Sequence, residues 1–203
     1  MEPPAQELSG TLLNRVETGE NHLRLMIFSP VMGLQAVLFR KSRKRGLAPF
    51  PDLFDDLECS LQNRGSSGLP FVSEHRLLLK RSELAIDHKR FFAASQVAKF
   101  YLDNGSHLLE SEFFFELLSS SLSALARGGN EKVVRFKTFY VFAKEEGLPV
   151  KQSWYQGLST IEKSCARKVL RETVDQQNVC DPGLDKLLLS LMNWLSMETE
   201  LIF

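Results

Sequence analysis

The hydrophobic pattern of this chain changes its period once, near residue 80. Before that point, apolar residues fall into five short runs in which alternate positions are apolar, and turn-forming residues separate the runs. An alternating run fits a strand with one buried face, because successive side chains of a strand point to opposite sides. After that point, apolar residues recur every three or four positions, as in amphipathic helices. We therefore expect an α+β protein, with strands first and helices second.

The five predicted strands are TLLNRV, HLRLMIF, LQAVLF, LFDDLECSL and PFVSEHRLL. In the fourth, Leu57, Cys59 and Leu61 alternate with polar residues. Five short strands with turn residues between them indicate a small barrel, and at this length we expect an OB-fold, whose members often bind single-stranded nucleic acid. The predicted domains are an OB-fold domain over residues 1–82 and a helical bundle over residues 83–203.

Five helices are predicted in the second part, from residues that favour helix ends. The first is expected to end at Gly105 in a left-handed conformation, and the second at Gly128-Gly129. The predicted starts are the caps Asp87 and Asn130, the capping box of Ser159 and Glu162, and Asp181 followed by Pro182.

One short segment, LFRKSRKRG at 38–46, concentrates positive charge. The whole chain has 25 Lys and Arg against 25 Asp and Glu, so any attraction to a polyanion must be local. We expect the segment to contact nucleic-acid phosphates, because each neutralised phosphate releases bound counterions. A solvated loop without a ligand and a nuclear-localisation signal are the alternatives. Its cations are Arg40, Lys41, Arg43, Lys44 and Arg45.

Two further groups complete the predicted nucleic-acid interface. The first extends the positive charge, from the polar side of the second strand to the junction of the two parts: Arg24, Lys80, Arg81, Lys89 and Arg90. The second comprises aromatic residues near the basic segment that could stack on bases: Phe28, Phe39 and Phe50. For each of these phenylalanines, a place in the core is the more common role.

The sequence gives no support for an enzyme, a metal site or a cofactor. It contains no GxSxG motif, P-loop or dinucleotide fingerprint, and Cys59, Cys165 and Cys180 form no CxxC pair. Alternation places Asp56 and Glu58 on one face, but no third acid joins them as a cation ligand. No apolar stretch reaches the roughly 20 residues of a membrane helix, and the N-terminus lacks the pattern of a signal peptide. We therefore expect a cytosolic protein that does not bind a membrane.

The order of these features resembles the RecO family of bacterial recombination mediators. The matching elements are Gly19-Glu20 before the second strand, Gly33 at the start of the third, the basic segment, LAPF before the fourth and SSGLPFVSEHRLL as the fifth. The segments RFFAASQVAKFYL, ESEFFFELLSSSLSALA and VRFKTFYVFAKEEGLPV continue the likeness, which covers residues 9–150 well and the last 50 weakly. Many RecO proteins carry a four-cysteine zinc module after the Gly-x-Pro at 147–149, and this chain, like a subset of the family, does not.

The resemblance implies a protein of the bacterial cytosol and nucleoid that is not an enzyme. Such a protein binds single- and double-stranded DNA, anneals complementary strands and, with RecR, helps RecA to replace the single-strand-binding protein in DNA repair. The acidic, apolar-ended tail of the single-strand-binding protein would need a hydrophobic pocket rimmed by cations, and Lys132, Arg135 and Lys137 of the third helix are the predicted rim residues. The alternative for these cations is that they form only the solvated face of that helix. The alternative is an interaction adaptor whose barrel has lost nucleic-acid binding and whose helices dock other proteins.

Overall fold

The computed structural model describes residues 6–41, 50–62, 68–177 and 182–203. Within these ranges five strands come first: β1 (Gln6–Thr18), β2 (His22–Ser29), β3 (Gly33–Arg40), β4 (Asp56–Gln62) and β5 (Phe71–Leu79). Six α-helices follow: α1 (His88–Asn104), α2 (Ser111–Ala126), α3 (Glu131–Glu145), α4 (Trp154–Gly157), α5 (Thr160–Arg171) and α6 (Pro182–Glu198). The predicted α+β class, with strands before helices, is confirmed.

The fold divides into two compact units. The barrel unit contains β1–β5, continues to Ser82 and includes Gly105–Glu116, so the beginning of α2 belongs to it. The helical unit contains Glu83–Asn104 and the chain from Leu117 to Phe203. That residues 1–82 and 83–203 are separate domains remains a prediction.

The strands close into a barrel in the order β1-β2-β3-β5-β4. Neighbouring strands are antiparallel except β3 and β5, which pair in parallel at Leu38 and Phe71. The predicted five-stranded barrel is therefore confirmed, and its shape is compatible with an OB-fold. The predicted alternation holds in β4, where Leu57, Cys59 and Leu61 point into the core.

Cys59 is expected to be unreactive while the barrel is folded. Burial, with smaller contributions from the charges of Glu7 and Glu58, raises the pKa of its thiol to about 12. At pH 8 only about one molecule in ten thousand then carries the reactive thiolate. In a variant with Cys165→Ser and Cys180→Ser, a thiol reagent should therefore label the protein only when denaturant opens the barrel. Rapid labelling of the native variant would contradict this expectation.

The acids at the start of β4 are buried and bound to Arg81. Asp55 and Asp56 are both buried, as is Leu57 beside them. Asp56 forms a bidentate ion pair with Arg81, at 2.7 and 2.9 Å, and Asp55 accepts a hydrogen bond from the Arg81 backbone N–H. Asp56 and Glu58 are two residues apart on β4 and pair with Thr11 and Ser9 of β1 without a shift, as the predicted shared face requires. Each acid is bound to its own arginine, Asp56 to Arg81 and Glu58 to Arg76.

The helix starts follow the predicted caps. The Asp87 and Asn130 side chains accept hydrogen bonds from backbone N–H groups of α1 and α3, and Ser159 forms the capping box with Glu162. α6 begins at Pro182, and Asp181 lies outside the described residues. α4 was not predicted, since four residues are too few to show a period. Over the described chain, no helix combines the length and hydrophobicity that crossing a bilayer requires.

An aromatic cluster forms the core of the helical unit. Phe100 of α1 meets Phe139 and Phe142 of α3, with ring centroids 4.9 and 4.7 Å apart. Phe203 lies beside Phe100 and Phe139, at 4.8 and 5.1 Å. These tilted and edge-on arrangements are the favoured geometries of aromatic pairs, so the cluster joins α1, α3 and the last residue of the chain.

Two glycines allow the β2–β3 turn to pack closely against the segment that leads into α2. Gly105 does not take the predicted left-handed conformation, because α1 continues into a 3-10 turn over residues 105–107. A Cβ on Gly105 would lie 3.1 Å from the Phe28 ring, so glycine permits this close approach. Gly33 has a φ of +63°, and a Cβ there would lie 3.2 Å from the Ser111 hydroxyl.

Candidate nucleic-acid interface

The outer surface of the barrel carries the exposed cations of β2 and β3. Because Leu23 and Leu25 point into the core, the residues between and beside them point outward. In the antiparallel register, His22 lies opposite Arg40, and Arg24 lies opposite Leu38. Arg24 and Arg40 therefore belong to the same face of the hairpin, in residue pairs that are two positions apart along each strand.

The neighbouring strands extend this face on both sides. Val16 of β1 pairs with Arg24, and Phe71 of β5 pairs with Leu38. The Phe71 ring also meets the His22 ring edge-on, with centroids 5.7 Å apart. A row of residues thus crosses four strands of the barrel. We call this surface the outer β-face and define it by Val16, His22, Arg24, Leu38, Arg40 and Phe71.

The outer β-face combines positive charge with flat rings. Arg24 and Arg40 are exposed, and neither forms an ion pair with another residue in the described part of the chain. Val16 is 51% exposed, and Phe71 and His22 are half-buried. Guanidinium groups bind phosphate oxygens, and aromatic rings stack on bases of any identity. The face is therefore suited to a single strand of nucleic acid and has no evident means to read its sequence.

The basic segment after β3 is described only at its start. Lys41 pairs with Glu17 at 2.6 Å, and both side chains remain accessible to solvent. The hydrogen bond and the charge of Lys41 lower the pKa of Glu17. Arg43, Lys44 and Arg45 lie outside the described residues, so their predicted role stays a prediction.

Arg81 is not available to nucleic acid, and its predicted role is wrong. The residue is only 3% exposed. One guanidinium nitrogen donates to the Phe54 carbonyl at 2.6 Å, and the guanidinium also pairs with the carboxylate of Asp56. That carboxylate accepts a further hydrogen bond from the Thr11 hydroxyl. A cation this deep needs a full set of partners, and it has them within the barrel. Its neighbour Lys80 is exposed.

The remaining two predicted contacts lie at the start of α1 in the helical unit. Lys89 is exposed, and Arg90 is half-buried. Arg90 packs on the Gly128 backbone, so closely that a Cβ on Gly128 would lie 2.9 Å from a guanidinium nitrogen. Whether these cations continue a basic track from β5 stays a prediction.

The three predicted rim cations on α3 contact other segments of the helical unit. Lys132 pairs with Asp185 of α6 at 2.6 Å. Arg135 donates to the side chain of Gln96 in α1, and Lys137 donates to the backbone carbonyl of Glu172. Burial lowers the pKa of both Arg135 and Lys137. These cations therefore connect α3 to its neighbours, and the tail-binding site remains a prediction.

Two of the three phenylalanines considered for stacking lie in the core. Phe28 and Phe39 are buried, which confirms the core alternative for both. Phe50 is 40% exposed, but its ring packs against Phe39 and beneath the guanidinium of Arg15. Phe71 was missed, since its place on the outer β-face depends on the register between β3 and β5.

No protein-family model matches the chain, and no curated protein shows significant similarity to it. Across the described ranges, no three His, Cys, Asp or Glu residues group as metal ligands.

Proposed function

We propose that this protein binds DNA through the outer β-face without reading its sequence, and acts as a RecO-like recombination mediator. The observation that carries the proposal is the pairing of two exposed arginines with an aromatic ring on one face of a five-stranded barrel. Arg24 and Arg40 supply phosphate contacts, and Phe71 supplies a stacking surface. The RecO-like order of segments in the sequence supports the choice of mediator over other DNA-binding functions.

Strand annealing follows from the same chemistry. Two complementary strands meet only when their phosphate charges are neutralised, which needs exposed cations but no readout of base edges. In this proposal the outer β-face holds one strand, and the basic segment at 40–45 lowers the repulsion of the second. Cooperation with RecR, and the loading of RecA onto DNA coated by single-strand-binding protein, are taken from the RecO resemblance.

Oligonucleotide binding should depend steeply on salt. We expect fluorescence anisotropy of a labelled single-stranded oligonucleotide to give a log–log slope of about −0.7 per phosphate contacted. Replacing the five cations of the basic segment by Ala should remove several slope units, and Arg24→Ala about one. Phe71→Ala should weaken binding by about 1–3 kcal/mol and leave the slope unchanged, because stacking involves no counterions.

The matched control is Lys144→Ala, which removes an exposed cation from the helical unit. It should bind as the wild type does, and circular dichroism should show that all variants are folded. If the wild type binds no oligonucleotide even at low salt, DNA mediation is excluded for this chain and the adaptor alternative takes its place. If Lys144→Ala lowers the slope as much as Arg24→Ala does, the outer β-face is not the binding surface.

A further inference from the structure

A groove in the barrel unit lies between the β2–β3 turn and the start of α2. Its volume is about 530 Å³. Three apolar side chains, Val31, Leu109 and Phe113, line it together with the carboxylates of Glu110, Glu112 and Glu116. No Lys, Arg or His is among its lining residues in the described part of the chain. We call this feature the acidic groove.

The apolar side chains of the groove are unusually exposed. Leu109 is 97% exposed and Val31 is 87% exposed, the highest values of any large apolar residue in the described chain. Burying apolar surface favours association. Two such residues in the lining of one groove therefore offer an anchor to a partner that covers both.

Hydrogen bonds fix the conformation of the turn that presents Val31. The Ser29 hydroxyl accepts hydrogen bonds from the backbone N–H groups of Val31 and Met32, each at 3.3 Å. Gln35 donates to the Met32 carbonyl at 2.6 Å, and Gly33 allows the turn to approach Ser111 closely. Because these contacts fix the turn, Val31 is held outward and little conformational entropy is lost when a partner covers it.

The carboxylates decide which partner fits. Glu110, Glu112 and Glu116 are exposed, and none forms an ion pair with a described residue. Glu112 and Glu116 are four residues apart in α2, a spacing at which like charges repel across one helix face. A cation from a partner would relieve this repulsion, whereas phosphate or an anionic membrane surface would add to it.

A second copy of the chain fits the groove poorly. A twofold dimer through this surface would bring the same patch of both copies together. Six carboxylates would then face one another around the apolar residues. The groove therefore favours a different occupant, one that brings positive charge.

We propose that the acidic groove binds a segment of a partner protein in which an apolar residue is flanked by Lys or Arg. The apolar residue inserts between Val31 and Leu109, and its basic neighbours pair with the three glutamates. This function goes beyond DNA binding and does not require it. The groove is at the turn end of the β2–β3 hairpin, while Arg24 and Arg40 are towards the other end. Because a strand rises about 3.3 Å per residue, the two surfaces are far enough apart for both ligands to bind at once.

A random dodecapeptide library displayed on phage tests the proposal, with the full-length chain immobilised. The counter-selection uses a variant with Leu109→Ser, Glu112→Gln and Glu116→Gln. We expect the retained peptides to share an apolar residue flanked by Lys or Arg. In fluorescence anisotropy, a labelled synthetic copy of the best peptide should bind the variant about tenfold or more weakly than the wild type.

Ile161→Ser is the control, since Ile161 is 83% exposed in the helical unit and lies outside the groove. It should bind the peptide as the wild type does, and both variants should retain their circular dichroism and their oligonucleotide binding. The proposal is overturned if no retained peptide distinguishes wild type from variant, or if the retained peptides are acidic. It is also overturned if sedimentation velocity shows a wild-type dimer that the groove variant abolishes, because a second copy is then the occupant.

Discussion

Replacing Arg81 by Met is expected to lower the free energy of unfolding of the barrel by about 3–5 kcal/mol. The substitution keeps much of the side-chain volume but leaves the carboxylate of Asp56 without its cation. The Asp56 side chain is only 12% exposed, so water cannot replace the lost partner fully. The Phe54 carbonyl loses a hydrogen bond at the same time. A buried charge without a partner is among the most destabilising changes that a single substitution can make.

Arg76→Met is the matched control for this substitution. Arg76 also pairs with an acid across β4 and β5, Glu58, but the two side chains are 72% and 40% exposed. Such a surface pair contributes about 0–1 kcal/mol. The free energy of unfolding of the barrel is measured for both variants by labelling Cys59 at increasing denaturant concentration. Cys165 and Cys180 are replaced by Ser so that only Cys59 reacts. Equal stability of the two variants would mean that the buried pair contributes no more than the exposed one.

A second substitution distinguishes the cost of the unpaired charge from the cost of lost packing. Adding Asp56→Leu to Arg81→Met should restore part of the lost stability, because an apolar pair often replaces a buried ion pair at little cost. If folded Arg81→Met protein binds the oligonucleotide with the wild-type salt slope, Arg81 has no part in the interface.

Phe139→Ala is expected to lower the free energy of unfolding of the helical unit by about 3–5 kcal/mol. Phe139 is 1% exposed and packs between Phe100 and Phe203, so its loss opens a cavity at the centre of the aromatic cluster. Both tryptophans of the chain, Trp154 and Trp194, are in the helical unit, so tryptophan fluorescence in urea measures this change.

Phe92→Ala makes the same change at a position that is 54% exposed, and should cost about 0.5 kcal/mol or less. If Phe139→Ala costs no more than this control, the aromatic cluster is not the core that stabilises the helical unit. Cys59 labelling and tryptophan fluorescence also report separately on the two units. Each substitution therefore shows whether destabilising one unit also destabilises the other.

Local patterns predicted most of the fold. The alternation of Leu57, Cys59 and Leu61 identified a strand because neighbouring residues along a strand face opposite sides. Asn130 and the pair of Ser159 and Glu162 identified helix starts because capping bonds join residues two or three positions apart. Each of these signals lies within one short segment, and a sequence displays it directly.

The candidate site was less predictable because its parts are distant in sequence. Arg81 looked like one more exposed cation beside Lys80, since nothing near it reveals that Asp56, 25 residues earlier, is its partner. Arg24 was correctly placed on the polar side of its strand. Phe71 joins it only through the parallel pairing of β3 with β5, and no pattern within either strand specifies that register.

Within the described residues, β3 and β5 pair at a single position. There Leu38 lies opposite Phe71, and its backbone N–H donates to the Pro70 carbonyl at 2.8 Å. The other neighbouring strands pair over more residues. Local opening of the native barrel, measured by backbone hydrogen exchange, should therefore begin between β3 and β5. The row of the outer β-face that contains Arg24 crosses the same two strands. A DNA strand bound along that row would contact both β3 and β5 and stabilise their pairing. Hydrogen exchange between β3 and β5 should therefore be slower in the DNA-bound barrel than in the free one.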